Sequence, residues 1–434
     1  MKYFYILLTF LRLSLFDLNA QQLYFPPLTG TIWDTVSPQS LNWCQSRIDS
    51  LYNYLQVKNT KSFIVLKNGK IVLEKYFGTY TSDSAFYWAS ASKSLASFIT
   101  GIAQQKNLIN INNSVSQYLG VGWSSEIPAK ENLIKVKDLL QMTSGMEDNP
   151  PAPCSNEDSA KACLIYKVDA GTRWAYHTGS YKKVQSVVSA AASQNYNVIT
   201  NNWLKVKTGM TGIWIDQTYY SKARDMARFG LCILNKGIWN ADTLLKDQTY
   251  FNAMVNSSQS YNPSYGYLWW LNGKPGYLNP GLQFMFNGSL IPNAPNDLFC
   301  ALGKNDQKIY VVPSSGMVIV RQGNSAEGVT FALSTFDNKL WDYIYKLKCN
   351  TALVLSEKVK SESISIYPNP ASDIIYLKSN ERIKQVILED VVANSRELHL
   401  TNSEINVAHL KKGIYILKIL FINGQVYNKK IVID

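Results

Sequence analysis

Leu41, Cys44, Ile48, Leu51 and Leu55 recur at three- and four-residue intervals, a stripe that predicts an amphipathic helix at the opening of the first folded domain. The pattern then shortens to two apolar runs, Ile64-Val65-Leu66 and Ile71-Val72-Leu73, around Lys67-Asn68-Gly69-Lys70. Asn-Gly between two such runs predicts a β-hairpin. Helical spacing returns at Leu95, Phe98, Ile99, Ile102 and Ala103, and the chain reads as mainly helical to about residue 245, including a helix from Ser221 to Leu234. Strands resume at Ile309-Tyr310-Val311-Val312 and Met317-Val318-Ile319-Val320 on either side of a Pro313 turn. A last helix has Asp337 near its start and Leu340, Trp341, Ile344 and Leu347 on one face.

Helix, hairpin, helical insert, hairpin, helix predicts an α/β (α+β) domain: an antiparallel sheet built from both ends of the segment, flanked by helices, with a helical lobe inserted in the middle. A cleft is expected between sheet and lobe. From about Thr351 the texture changes to short β-rich runs, Ile374-Ile375-Tyr376-Leu377, Val386-Ile387-Leu388 and Ile414 to Ile419, with a turn at Asn423-Gly424. These predict a separate small β-sandwich over 364–434, after a linker over 351–363.

The first residues combine a basic start, Met1-Lys2, with a short apolar stretch and a small residue at Ala20, which predicts a secretory signal peptide over 1–20, so that the first folded domain spans 21–350. No later segment reaches eighteen uninterrupted apolar residues, so no membrane span is expected. At 434 residues, 46% hydrophobic and 17% charged, the chain has enough apolar material for a large core, which excludes disorder as its general state. The formal charge of +12 comes from scattered lysines and not from a basic run, so a nucleic-acid partner is not expected.

Six cysteines in an exported chain permit disulfides without demanding a disulfide scaffold. Cys154 and Cys163 bracket a short polar loop and are the expected pair. Cys44, on the first helix, and Cys349, after the last helix of the domain, form a second expected pair, while Cys232 and Cys300 sit among apolar neighbours as buried thiols. The three histidines, His177, His399 and His409, are too few and too dispersed for a histidine metal site, and neither metal nor organic cofactor is expected.

Candidate chemistry concentrates in Trp88-Ala89-Ser90-Ala91-Ser92-Lys93, which sets a hydroxyl and an amine three residues apart at the head of the apolar helix. Both should share one face of a mostly buried helix, where desolvation lowers the lysine pKa until it can accept the serine proton. The spacing alone is weak. It recurs at Ser180-Tyr181-Lys182-Lys183, and an ordinary helix cap with a solvated lysine would produce it too.

With the order of elements in place, Ser90 to Lys93 resembles the first motif of the serine β-lactamase and penicillin-binding-protein superfamily, particularly its class C β-lactamase and esterase branch. Further stretches agree in order: Val136 to Met146, Gly171 to Tyr176, Tyr265 to Trp270 and Ile309 to Pro313. The resemblance covers nearly all of 30–348. It implies a second motif at Tyr176-His177-Thr178, with Tyr176 as general base and later acid, titrating well below 10 beside an ammonium. Thr178 stands where the family usually has asparagine, which removes an amide from substrate recognition.

The family's third motif is Lys-Thr-Gly on a strand just before the final hairpin. The literal copy Lys207-Thr208-Gly209 falls too early in the chain, and the segment in the right place is Ala301-Leu302-Gly303-Lys304. There the resemblance implies that Gly303 keeps the strand clear for substrate and that the backbone N–H near Lys304 joins that of Ser90 as an oxyanion hole. No lysine precedes Gly303 in that segment, so the cation that relatives aim at a substrate carboxylate is missing.

Ile366-Tyr367-Pro368-Asn369-Pro370-Ala371-Ser372-Asp373, Leu410 to Tyr415 and the closing Lys429 to Ile433 resemble the sorting domain of the type IX secretion system. A secreted or cell-surface location and a secretion-machinery partner follow from that resemblance. Together the resemblances imply a serine hydrolase that cleaves a small or peptide-like ester or amide through a Ser90 acyl-enzyme. A D,D-peptidase or β-lactamase and a catalytically silent binding protein are the alternatives.

Overall fold

The computed structural model describes residues 23–328, 333–349, 364–390, 395–422 and 426–434. The expected signal peptide, the expected linker and the Asn423-Gly424 turn lie outside these. The chain divides into two compact units, Met1–Lys348 and Cys349–Asp434.

The first unit opens with α1 (Gln45–Val57), followed by the hairpin strands β1 (Thr60–Lys67) and β2 (Lys70–Tyr76). Asn68 and Gly69 take φ of 48° and 85°, the left-handed pair that a two-residue hairpin turn requires. After a short strand β3 (Ala85–Tyr87) come α2 (Ser92–Gln105), the lobe helix α3 (Thr178–Ala192), β4 (Ile213–Ile215), β5 (Thr218–Lys222) and α4 (Ala223–Leu234). The sheet is completed by β6 (Trp270–Leu271), β7 (Phe299–Gly303), β8 (Gln307–Val312) and β9 (Met317–Gly323), and the unit closes with α5 (Thr335–Tyr345).

Six strands form one antiparallel sheet in the order β2-β1-β9-β8-β7-β6, so its two edges come from opposite ends of the unit. Phe63, Ile64, Val65 and Leu66 are all fully buried, and so is the whole of β8. Alternation is lost there because both faces are covered. Helices α1 and α5 pack together on one face, where Tyr54 stacks on Phe336 and Tyr343 at ring separations of 5.8 and 4.5 Å. Helix α4 packs on β1, β8 and β9, where Gly230 allows contact so close that a β-carbon would lie 2.4 Å from Val318 Cγ1.

The stretch expected to be mainly helical to about residue 245 contributes β4 and β5 to a second, three-stranded sheet in the order β3-β5-β4. Ser221, expected at the start of a helix, lies in β5 instead, and the helix begins at Ala223. Asp225 caps that start by accepting from Lys222 N at 3.0 Å. Cys44 caps α1 and does not lie within it. Cys154 and Cys163 are bonded to each other, Cys44 and Cys349 are both oxidised, and Cys232 and Cys300 are free and buried.

The second unit is a β-sandwich. Strands β10 (Ile364–Tyr367), β11 (Ile374–Ser379), β12 (Ile383–Glu389), β13 (Ser395–Leu398), β14 (Glu404–Asn406), β15 (Gly413–Phe421) and β16 (Val426–Ile433) form sheets in the orders β10-β11-β14 and β13-β12-β15-β16. Ile375, Leu377, Val386, Leu388, Leu417, Ile419 and Ile431 fill the space between them. Asn369 of the Pro-Asn-Pro motif ties the entry of the unit to its last strand, donating to Lys430 O at 2.9 Å and accepting from Val432 N at 2.8 Å.

Candidate active site

Ser90 sits in a 3-10 turn, Ala89–Ala91, immediately before α2. Several bonds fix this turn. The Trp88 indole donates to Ser221 Oγ at 2.9 Å, Trp88 N donates to Tyr219 O at 2.8 Å, and Ser92 Oγ accepts from Tyr219 N at 2.9 Å. Ala89 is driven to φ 48°, a left-handed conformation that costs a residue with a β-carbon about 1 kcal/mol. Backbone strain beside a half-exposed hydroxyl is a common accompaniment of reactive turns.

One turn into the helix, Lys93 is 3% exposed, and its Nζ donates to Ser90 Oγ across 2.9 Å. The same nitrogen lies 5.0 Å from the ring centre of Tyr176 and 4.8 Å from that of Tyr181. Burial pulls the lysine down to about 7, opposed by the charge of Glu157 and assisted by that of Lys182. An appreciable fraction is therefore neutral near pH 7, with a lone pair within reach of the serine proton.

Tyr176 hydrogen-bonds Ser90 through its phenol and packs parallel to Trp270, with ring centres 6.0 Å apart. The expected drop of its pKa below 10 is corrected. Burial pushes it well above the ordinary tyrosine value, and the neighbouring lysine is too readily neutralised to offer a steady positive charge. Tyr176 thus carries its proton at neutral pH, while the amine of Lys93 is partly neutral.

The next residues begin α3. His177 is its cap, with Nδ1 accepting from Ser180 N at 3.1 Å, and burial lowers its pKa to about 4. It serves as a neutral structural acceptor. Thr178, half-buried, donates its backbone N–H to Asn156 Oδ1 at 3.0 Å. The second serine-lysine copy falls inside this helix start, where Ser180 Oγ donates to His177 O at 3.1 Å.

Gly303 ends β7 against the turn that carries Ser90. A β-carbon there would lie 2.3 Å from Trp88 O and 3.1 Å from Ala91 N, so any side chain would push strand and turn apart. Lys304, exposed, starts a 3-10 turn over Lys304–Asp306 in which Asn305 Nδ2 donates to Tyr87 OH at 2.6 Å. Buried charge holds that turn from below. Arg321 Nη1 donates to Asp306 O at 2.8 Å, while Lys308 pairs with Asp306 at 3.2 Å and with Asp337 at 2.8 Å.

Ser90, Lys93 and Tyr176 therefore meet in one cluster, with Gly303 against its rim. Lys207-Thr208-Gly209 does not sit on a strand at all: Val206–Thr208 is a helical turn, Thr208 Oγ1 donates back to Leu204 O, and exposed Lys207 lies 3.6 Å from Asp242. Tyr181 and Asn156 escape any reading by spacing. Tyr181 shows only as another apolar position of α3, and Asn156 as one polar residue in a polar loop.

The family described as Beta-lactamase matches residues 59–339, and the secretion system C-terminal sorting domain matches 365–434. No curated protein matches the chain. Among solved structures, a "Putative 6-aminohexanoate-dimer hydrolase from Bacillus anthracis" is 19% identical, covering 73% of this chain and 86% of its own, at a TM-score of 0.55. A "putative beta-lactamase from Bacteroides dorei DSM 17855" is 16% identical over 70% of this chain and 99% of its own, at 0.56. A class C beta-lactamase is 15% identical over 70% and 97%, at 0.53.

Proposed function

The chain belongs to the Beta-lactamase family and ends in a type IX secretion sorting domain, and on that premise we propose that it is an exported serine hydrolase opening an ester or amide through a Ser90 acyl-enzyme. The observation that carries this reading is the 2.9 Å contact between Ser90 Oγ and a buried amine whose pKa falls to about 7. Neutral Lys93 takes the hydroxyl proton as Oγ attacks the carbonyl carbon. The oxyanion is held by backbone N–H groups at Ser90 and near Lys304. The proton on Lys93, passed through the Tyr176 phenol, goes to the leaving group, and a water activated by the regenerated amine releases the acid.

Gly303 is preceded by Leu302 and Ala301, which are apolar and buried. The strand offers no cation at that place for a substrate carboxylate, which favours neutral or cationic esters and amides over β-lactams and stem peptides.

The test uses the full secreted chain with a chromogenic short-chain ester, a chromogenic cephalosporin and a labelled penicillin, beside Ser90→Ala and Lys207→Ala. Ester turnover is expected in the wild type, lost by about 10⁴-fold or more in Ser90→Ala and retained in Lys207→Ala. Rapid cephalosporin turnover would move the assignment to a β-lactamase. Absence of both turnover and Ser90 labelling would leave a ligand-binding protein.

A further inference from the structure

The loop closed by the Cys154–Cys163 disulfide is pressed against the second motif. Asn156 donates from Nδ2 to Tyr176 O at 2.9 Å, accepts at Oδ1 from Thr178 N at 3.0 Å, and accepts at its backbone oxygen from Gly179 N at 2.8 Å. On the other side of residue 157, a β-carbon on Gly179 would lie 1.9 Å from Asp158 O. Glu157 is thus held between two residues in direct contact with 176–179, on a segment that a disulfide and three hydrogen bonds keep ordered.

Its carboxylate is exposed and, among the described residues, has neither a hydrogen-bond nor an ion-pair partner. Its charge nevertheless reaches both Lys93 and Tyr176. Lys182 acts on Lys93 in the opposite sense and more weakly. Asp148 with Arg173 at 2.7 Å and Glu74 with Arg224 at 2.7 Å show the kind of pairing that Glu157 lacks. Glu157 thus carries an unpaired carboxylate on a loop anchored to residues 176–179, with its charge available to a ligand.

We propose that Glu157 is a specificity residue that selects substrates carrying an ammonium group close to the scissile carbonyl, as in aminoacyl esters and amides. The inference rests on Ser90 as the nucleophile. A substrate ammonium would form an ion pair with Glu157 without the loop having to reorganise, whereas a carboxylate at the same place would be repelled. The missing cation ahead of Gly303 removes the opposite preference.

Three anilides test this: glycine p-nitroanilide, its N-acetyl derivative and its N-succinyl derivative, in which the glycine nitrogen is an ammonium, carries a neutral cap and carries an anionic cap. In the wild type kcat/KM should fall in that order, with the first exceeding the last by about tenfold or more at low salt and by less at high salt. Glu157→Gln should reduce the ratio of ammonium to neutral substrate by about tenfold, and Glu157→Lys should turn the preference toward the succinyl compound. Ratios cancel any general loss of activity.

Calorimetric binding of the same compounds to Ser90→Ala, with and without Glu157→Gln, reads the preference without turnover. A wild type that cleaves neither ester nor anilide sinks the hydrolase reading, while the binding series still decides this one. An ammonium preference unchanged by Glu157→Gln, or equal or absent binding of the three compounds, overturns it.

Discussion

Lys93 Nζ lies 2.9 Å from Ser90 Oγ, against the rings of Tyr176 and Tyr181, and among the described residues no carboxylate is bonded to it. Its low pKa of about 7 is therefore a desolvation effect more than a product of neighbouring charge. If the neutral amine is the base, kcat/KM for an uncharged ester should rise with pH and level off above about 7, losing about tenfold per unit below it. A pH–rate profile of the secreted protein checks this. A flat profile between pH 5 and 8 would remove Lys93 from the role of base.

Tyr176 keeps its proton far above that range, because it is buried against Trp174, Tyr265 and Trp270. Tyr176→Phe should lower kcat by about 10²- to 10⁴-fold through loss of a positioned proton donor. The midpoint near pH 7 should stay, since burial of Lys93 sets it. A midpoint that moved by more than about one unit would mean that the phenol, not desolvation, governs the amine.

Gly303 has an ordinary extended conformation, φ −125°, so its need for glycine is purely spatial. Gly303→Ala places a methyl group 2.3 Å from Trp88 O, between the end of β7 and the strained turn that carries Ser90. Overpacking of this kind costs about 1–3 kcal/mol. Activity should fall further than stability, because relief must come from displacing either the nucleophile or the oxyanion-side backbone. Urea unfolding and ester turnover measured on the same preparation separate the two losses.

Much of this fold was legible because the apolar periods are strong: the hairpin at Asn68-Gly69, the β8–β9 pair and the helices α1, α2 and α5 all appear as patterned runs. The β3-β5-β4 sheet was not, since its strands have three to five residues, and Ser221 to Leu234 shares one continuous amphipathic pattern across a strand-to-helix boundary. In the site, helical spacing marks Ser90 and Lys93 but marks Ser180 and Lys183 as well, so the order of motifs singles out the first pair and is all that points to Tyr176. Its ionisation was misread because sequence shows which charges are near in the chain and not how deeply a phenol is buried. Asn156, Tyr181 and the Arg321–Asp306–Lys308–Asp337 network carry no period at all. They are contacts between elements far apart in sequence, and Lys308 and Arg321 look like ordinary polar positions of strands until both faces are found covered.

His177 provides a stability signature independent of catalysis. It is buried as the neutral cap of α3, with Nδ1 accepting from Ser180 N, and its pKa falls from 6.5 to about 4. The folded state therefore binds fewer protons than the unfolded chain in that interval, so stability is lost as pH drops from about 6.5 toward 4, by about 2–3 kcal/mol from this group. His177→Asn keeps a side-chain acceptor suited to a helix cap and removes the titration. Urea unfolding of both proteins at pH 7 and pH 4.5 should show the variant losing less stability on acidification, even if it starts lower because a buried ring has been replaced. Equal losses in the two proteins would mean that His177 takes up its proton without leaving the cap.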